Sequence, residues 1–213
     1  MNIEEKKALF EEFCQFLDSK EPVENDTVDV QRMITIETDE YEVGDVITFS
    51  LTTGEVVSAM AMRQEEDGML FVFVDCLKDE YPMNETDTTK GGNEASNLRK
   101  VLNTDILSSF PTSIRNRMKP VYKEDKLRLL TAMEVFGENE YGDEDNGVYL
   151  PLMKKRRNRI AFQGYATDEW EWYWLQNTYR ASAFVCVLPI GSANFANASN
   201  SLGVRPAFKI KNP

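Results

Sequence analysis

The chain contains no histidine. That removes the commonest general base, the Ser-His and Cys-His nucleophile pairs and the commonest zinc ligand. Cysteine is scarce. Cys14, Cys76 and Cys186 are odd in number and far apart, with no metal-ligand or redox spacing. Each sits among apolar residues and reads as a buried free thiol. No metal and no cofactor is expected. No apolar run approaches the roughly eighteen residues of a membrane-crossing helix. The start, Met1-Asn2-Ile3-Glu4-Glu5, lacks both the basic and the apolar region of a secretory signal. The expected location is therefore the cytoplasm, or a phage particle assembled there. Basic residues are also in short supply: 24 Lys and Arg face 36 Asp and Glu, for a net charge of −12. Phosphate contact needs a basic surface, so nucleic acid is not an expected partner. An anionic membrane surface is disfavoured for the same reason.

What is present suits one domain with a proper core. The 213 residues are 42% hydrophobic and 11% aromatic. Residues 1–29 read as an N-terminal amphipathic helix, over residues 3–18, and a linker. Leu9, Phe10, Phe13, Phe16 and Leu17 recur at helical spacing, and Pro22 with several acids follows. That helix either packs on its own domain or pairs with another subunit, making an oligomer. Residues 30–213 read as a single α+β domain. Strands are expected around Val46 to Phe49, Val56 to Met62 and Met69 to Val74. A helix is expected from Ser96 or Asn93 through Leu98, Val101 and Leu102. A short helix from Thr131 through Phe136 is stopped by Gly137.

Residues 170–208 organise the rest. Trp170, Trp172, Tyr173 and Trp174 gather all three tryptophans within five residues, and an apolar run follows at Phe184 to Leu188. The tract from Gly191 to Ser201 is small and polar, and Gly203-Val204-Arg205-Pro206-Ala207-Phe208 closes the stretch. The reading is strand, long exposed loop, strand, with Trp170 to Leu175 and Val204 to Ile210 in one antiparallel sheet and the aromatics anchoring the core. Asn, Ser and Ala cannot order themselves as core but make adaptable contacts on binding faces. The candidate ligand contacts are Asn177, Tyr179, Arg180, Asn194, Phe195, Asn197 and Asn200. Arg205 is read as structural, its fork of donors holding loop carbonyls or a carboxylate.

Other charged groups carry weaker readings. Asp143-Glu144-Asp145-Asn146-Gly147 suggests calcium, but aligning Gly147 with the glycine of an EF-hand loop puts Gly142 where the first Asp ligand belongs. Lys154-Lys155-Arg156-Arg157-Asn158-Arg159 lies just after an acidic tract and reads as a solvated or internally neutralised face. Asp168, Glu169 and Glu171 stand beside the tryptophans, as the two carboxylates of a carbohydrate hydrolase would. The main expectation is a non-enzymatic domain binding a protein or glycan ligand through residues 176–201. The alternatives are that hydrolase, or a structural component of a phage or surface assembly.

Five motifs occur in order: Val43-Gly44-Asp45-Val46-Ile47-Thr48-Phe49, Ser96-Asn97-Leu98-Arg99, Leu129-Leu130-Thr131-Ala132-Met133-Glu134-Val135, Trp172-Tyr173-Trp174-Leu175 and Gly203-Val204-Arg205-Pro206-Ala207-Phe208. The set resembles an uncharacterised domain family common in gut Firmicutes and their phages, from about residue 40 to the end. That family is similar in turn to the C-type-lectin-like domains of formylglycine-generating enzymes and of diversity-generating-retroelement variable proteins. The resemblance implies a C-type-lectin-like α+β fold, a small twisted antiparallel sheet flanked by helices with long irregular loops. It also implies a recognition face on the loops before the last strand. Two departures stand out. Family members often carry Leu-Arg-Ser where this chain has Leu175-Gln176-Asn177. The oxidase chemistry of the formylglycine group needs a cysteine pair, and Cys186 stands alone, so that activity does not carry over.

Overall fold

The computed structural model describes residues 40–143 and 145–211, together with the backbone of a short strand at Met33–Ile34. The amphipathic helix expected at residues 3–18 lies outside the described residues.

The described chain is mostly β. In order it runs β1 (Met33–Ile34), β2 (Val46–Ser50), β3 (Val56–Glu65), β4 (Gly68–Phe73) and β5 (Tyr81–Pro82). Helices α1 (Gly92–Ala95) and α2 (Asn97–Val101) follow, then a π-helical segment (Leu102–Ile106), α3 (Leu107–Ser109) and α4 (Thr112–Arg115). Next come β6 (Met118–Lys119), β7 (Leu127–Arg128), α5 (Ala132–Phe136) and two 3-10 turns, Pro151–Lys154 and Arg156–Arg159. The chain ends with β8 (Ala161–Phe162), β9 (Trp170–Glu171), β10 (Tyr173–Arg180), β11 (Ala183–Val187), β12 (Ala193–Asn197), β13 (Ser201–Leu202) and β14 (Ala207–Lys211).

Seven strands form one sheet, curled like half a barrel, in the order β1-β2-β3-β4-β14-β6, with β7 also on β14. β2, β3 and β4 pair antiparallel in sequence, as near-continuous Val, Ile, Met and Phe runs favour. β1 joins β2 in parallel. β14 lies between β4 and the pair β6 and β7. Both faces of the sheet are covered, which is why β4 is buried at every position. One face presents Ile47, Phe49, Phe71, Phe73 and Phe208 to the stretch carrying Leu98, Leu102, Ile106 and Phe110. The other presents Val46, Met60, Leu70, Val72 and Ala207 to α5, Leu150 and Met153. The Lys209 side chain stays charged on β14 because Glu65 (3.0 Å) and Asp67 (2.7 Å), flanking the β3–β4 turn, both receive it.

A second sheet is the meander β10-β11-β12. It too is covered on both faces. Trp174, Phe184, Cys186 and Ala196 join the first core, while Tyr173, Leu175, Val185 and Val187 join the second.

This architecture overturns the expected α+β, C-type-lectin-like domain with a small helix-flanked sheet. The helices are short, and Pro111 follows the longest helical stretch almost at once. Strands buried on both faces build the domain instead. The tryptophan strand and the last strand were expected in one antiparallel sheet. They fall in different sheets, and Tyr173 of β10 forms a parallel bridge to Gly203, ahead of β14. Residues 176–201 were expected as a loop, and the end of β10 with β11 and β12 occupies more than half of them. Nor do all three tryptophans anchor the core: Trp174 is fully buried, but Trp170 is 58% exposed and Trp172 37%.

Candidate functional site

The end of the meander assembles an aromatic and cationic platform. Strand alternation puts Tyr179 of β10 and Phe195 of β12 on the side of Val185, beyond the edge of the second core. Their rings lie 4.3 Å apart, and Tyr141 from the acidic loop meets both edge-on at 5.5 and 5.7 Å. Arg180 is exposed and folds back over them. Its guanidinium sits 4.7 Å from the Tyr179 ring and 5.1 Å from the Phe195 ring, and Nη2 donates to the Tyr179 hydroxyl (3.1 Å). Among the described residues Arg180 has no ion-pair partner. Glu140 next to Tyr141 pushes the Tyr141 phenol pKa up.

The structure therefore brings Tyr179, Arg180 and Phe195 together and adds Tyr141. No local pattern marks Tyr141, which lies 38 residues before Tyr179. Asn194 lies at intermediate exposure on β12, and its side chain accepts from the Phe195 amide (2.9 Å). Asn197 and Asn200 are exposed. Asn197 donates to Asp87 (3.1 Å), which also accepts from the Ser199 amide and hydroxyl. These hydrogen bonds hold the Asp87 carboxyl below its usual range.

Asn177 behaves differently. It is 6% exposed, and every polar atom of its amide is engaged. Oδ1 accepts from Ala132 N (2.8 Å), while Nδ2 donates to Asp145 Oδ2 (2.7 Å) and Asp143 O (3.2 Å). It thereby holds the start of α5 and the acidic loop against β10. That network also accounts for the supposed calcium loop, since Asp145 already accepts from Gly147 and Met133. Asn177→Ala is expected to cost about 1–3 kcal/mol, because it strands the buried Ala132 amide. A shift in urea midpoint at unchanged slope checks it. The triple change of Asn194, Asn197 and Asn200 to Ala is expected to move the midpoint far less.

Arg205 has the structural role its sequence context suggested. It is 5% exposed and donates to Phe73 O (2.6 Å), Asn158 O (2.9 Å) and the Tyr173 hydroxyl (3.2 Å).

A second feature is a groove of about 1200 Å³. Leu51, Leu77 and Ile106 form its floor, and Tyr81 and Tyr165 line it. Glu55, Asp79, Asp105, Asp168 and Glu169 surround it, against the single cation Lys78. Among the described residues none of these carboxylates is in an ion pair. Burial, and then Asp79, raise the Glu55 carboxyl pKa despite a hydrogen bond from the Lys78 amide (2.7 Å).

Asp168 and Glu169 thus reach the groove, but Glu171 does not. Glu171 turns inward, 7% exposed, and accepts from the Trp172 amide (2.7 Å). Its neighbour is Gly203, where a β-carbon would come 2.5 Å from the Glu171 side chain and 2.7 Å from Cys76 Sγ. Burial, and then the Glu80 carboxylate, push the Glu171 pKa up from 4.5 to about 7. The fold therefore holds a proton that the unfolded chain releases. Its stabilising effect is complete below about pH 4.5 and is lost as pH rises to about 7. Glu171→Gln is expected to flatten the melting temperature between pH 4.5 and 7.5 relative to the parent chain. Parallel curves would show that Glu171 titrates normally.

Among the described residues no group of His, Cys, Asp and Glu converges well enough to hold a metal ion, and no helix is long and apolar enough to cross a membrane.

The chain matches the model of a family described as a domain of unknown function (DUF6273) over residues 67–212, and it belongs to that family. The match covers four of the five motifs and begins after the first, at residues 43–49. No curated protein and no solved structure matches the chain.

Proposed function

We propose that this family member is a non-enzymatic recognition domain that binds a protein or glycan through the Tyr141, Tyr179, Arg180 and Phe195 platform. The carrying observation is the stacked Arg180. An arginine held over two rings keeps a planar set of donors facing solvent with little side-chain freedom left to lose on binding. Aromatic rings and arginine are the side chains that most often carry binding energy. The ligand chemistry they select is a carboxylate or sulfate beside a flat or apolar group. Both an acidic glycan and an acidic peptide surface offer that. Asn197 and Asn200 extend the face with adaptable polar contacts. The absence of histidine supports recognition over catalysis, as does the inward turn of Glu171 away from Asp168 and Glu169.

The test is a screen of the chain against acidic and neutral glycans and against a panel of surface proteins. For any ligand found, Arg180→Ala and Phe195→Ala should each weaken binding at least about tenfold, the size of a hot-spot loss. Melting should barely change. Equal affinity in both variants would reject the platform.

A further inference from the structure

We infer that the acidic groove is a second binding site, and that it takes an extended polypeptide segment bearing lysine and arginine side chains.

The first argument is shape and chemistry together. At about 1200 Å³ the groove is larger than the roughly 300–1,000 Å³ of an ordinary small-molecule pocket. Its floor of Leu51, Leu77 and Ile106 is apolar and its surrounding carboxylates are charged. Lysine and arginine have that same division, an apolar stem with a cationic head. Stems laid on the floor would bring heads to Glu55, Asp79, Asp105, Asp168 and Glu169. Tyr81 and Tyr165 add ring faces that attract cations.

The second argument is how the negative charge is distributed. The carboxylates come from four separate stretches of chain: the β2–β3 turn, the segment before β5, the π-helical segment and the loop before β9. They do not converge into a cluster that could hold a metal ion. Charge spread in this way is matched by several cations spaced along a chain, not by one point charge. Burial raises the Tyr81 phenol pKa, and Asp79, Glu55 and Asp105 raise it further.

The groove is also pre-formed. The Gln163 side chain donates to Lys78 O (2.9 Å), Gly164 N to Cys76 O (3.1 Å) and Thr167 Oγ1 to Gln163 O (2.8 Å), which fixes one wall to another. A partner would not have to order that wall on binding.

The experiment uses fluorescence anisotropy with the full chain and a labelled peptide repeating Lys-Leu-Arg. The control peptide has glutamine in place of every cationic residue. The cationic peptide should bind, weaken with added salt and outlast the control. The triple variant Asp105→Asn, Asp168→Asn, Glu169→Gln should lose at least tenfold in affinity. A charge-matched variant at exposed carboxylates outside the groove, Glu85→Gln, Glu124→Gln and Glu138→Gln, should lose less than twofold. Tyr165→Ala, which leaves the charge unchanged, should weaken binding severalfold, separating a shaped site from general attraction to an acidic protein. Circular dichroism melting of each variant shows that the fold is intact. Equal losses in the two triple variants overturn the inference. So does spermine binding as tightly as the peptide, or no binding of the peptide at physiological salt.

Discussion

Trp174→Ala is expected to cost about 3–5 kcal/mol, the range for emptying a buried large aromatic position. Trp174 is fully buried in the first core, where the meander meets the main sheet. Its indole Nε1 donates to Tyr81 O (2.8 Å), so the change leaves a cavity and also removes a buried hydrogen bond. Its backbone amide bonds Gly203 O (3.2 Å), which places the ring where β10 passes the start of the last turn. For a domain of this size each kcal/mol moves the melting temperature by about 2–4 °C. Urea unfolding is the direct check. Trp174→Phe should cost less, because it keeps most of the ring volume and loses the hydrogen bond. A loss below about 1 kcal/mol in the alanine variant would mean that neighbouring side chains collapse into the space.

Glu134→Ala should be comparably damaging, at about 3–5 kcal/mol, because it strands the largely buried guanidinium of Arg128. Arg128 binds Glu134 with two parallel contacts of 2.6 and 2.7 Å, and Glu134 is 2% exposed. The same carboxylate accepts from Thr131 N (3.0 Å) and closes the capping box that starts α5. Arg63 approaches at 3.7 Å. The double change Arg128→Met with Glu134→Leu should recover part of the loss, since an apolar pair need not be neutralised. If the double variant is as unstable as the two single losses added, the pair is not coupled and the damage lies elsewhere.

Much of the main sheet was legible because its strands carry their own signal. Val56 to Met62 and Met69 to Val74 are long apolar runs, and nearly all of both lies in β3 and β4. Helix α5 was legible for a local reason as well: Thr131 caps it and Gly137 ends it at a φ of 76°, which glycine adopts freely. The meander was not legible at β12. Ala193, Asn194 and Asn197 have weak strand preference, and only pairing with Val185 and its neighbours makes this segment a strand. Ala196 and Ala198 are buried there, but alanine gives no directional signal. Asn177 was read as a ligand contact because the groups it holds, Ala132, Asp143 and Asp145, lie 32–45 residues away in sequence. The groove was invisible for the same reason, since Asp168 and Glu169 meet Glu55 and Asp105 only through the fold.

The position of β14 has a consequence for how the chain is made. β4 is complete early in synthesis, yet the strand that covers its far edge arrives only after about 130 more residues, from Phe73 to Ala207. Until then Gly68–Phe73, apolar at nearly every position, carries an open row of backbone donors and acceptors on the ribosome-bound chain. Such an edge recruits other strands, including those of neighbouring nascent chains. Faster translation or a crowded polysome should therefore favour aggregation. The short strands β6 and β7 cannot hold the edge, because among the described residues both of them also pair only with β14.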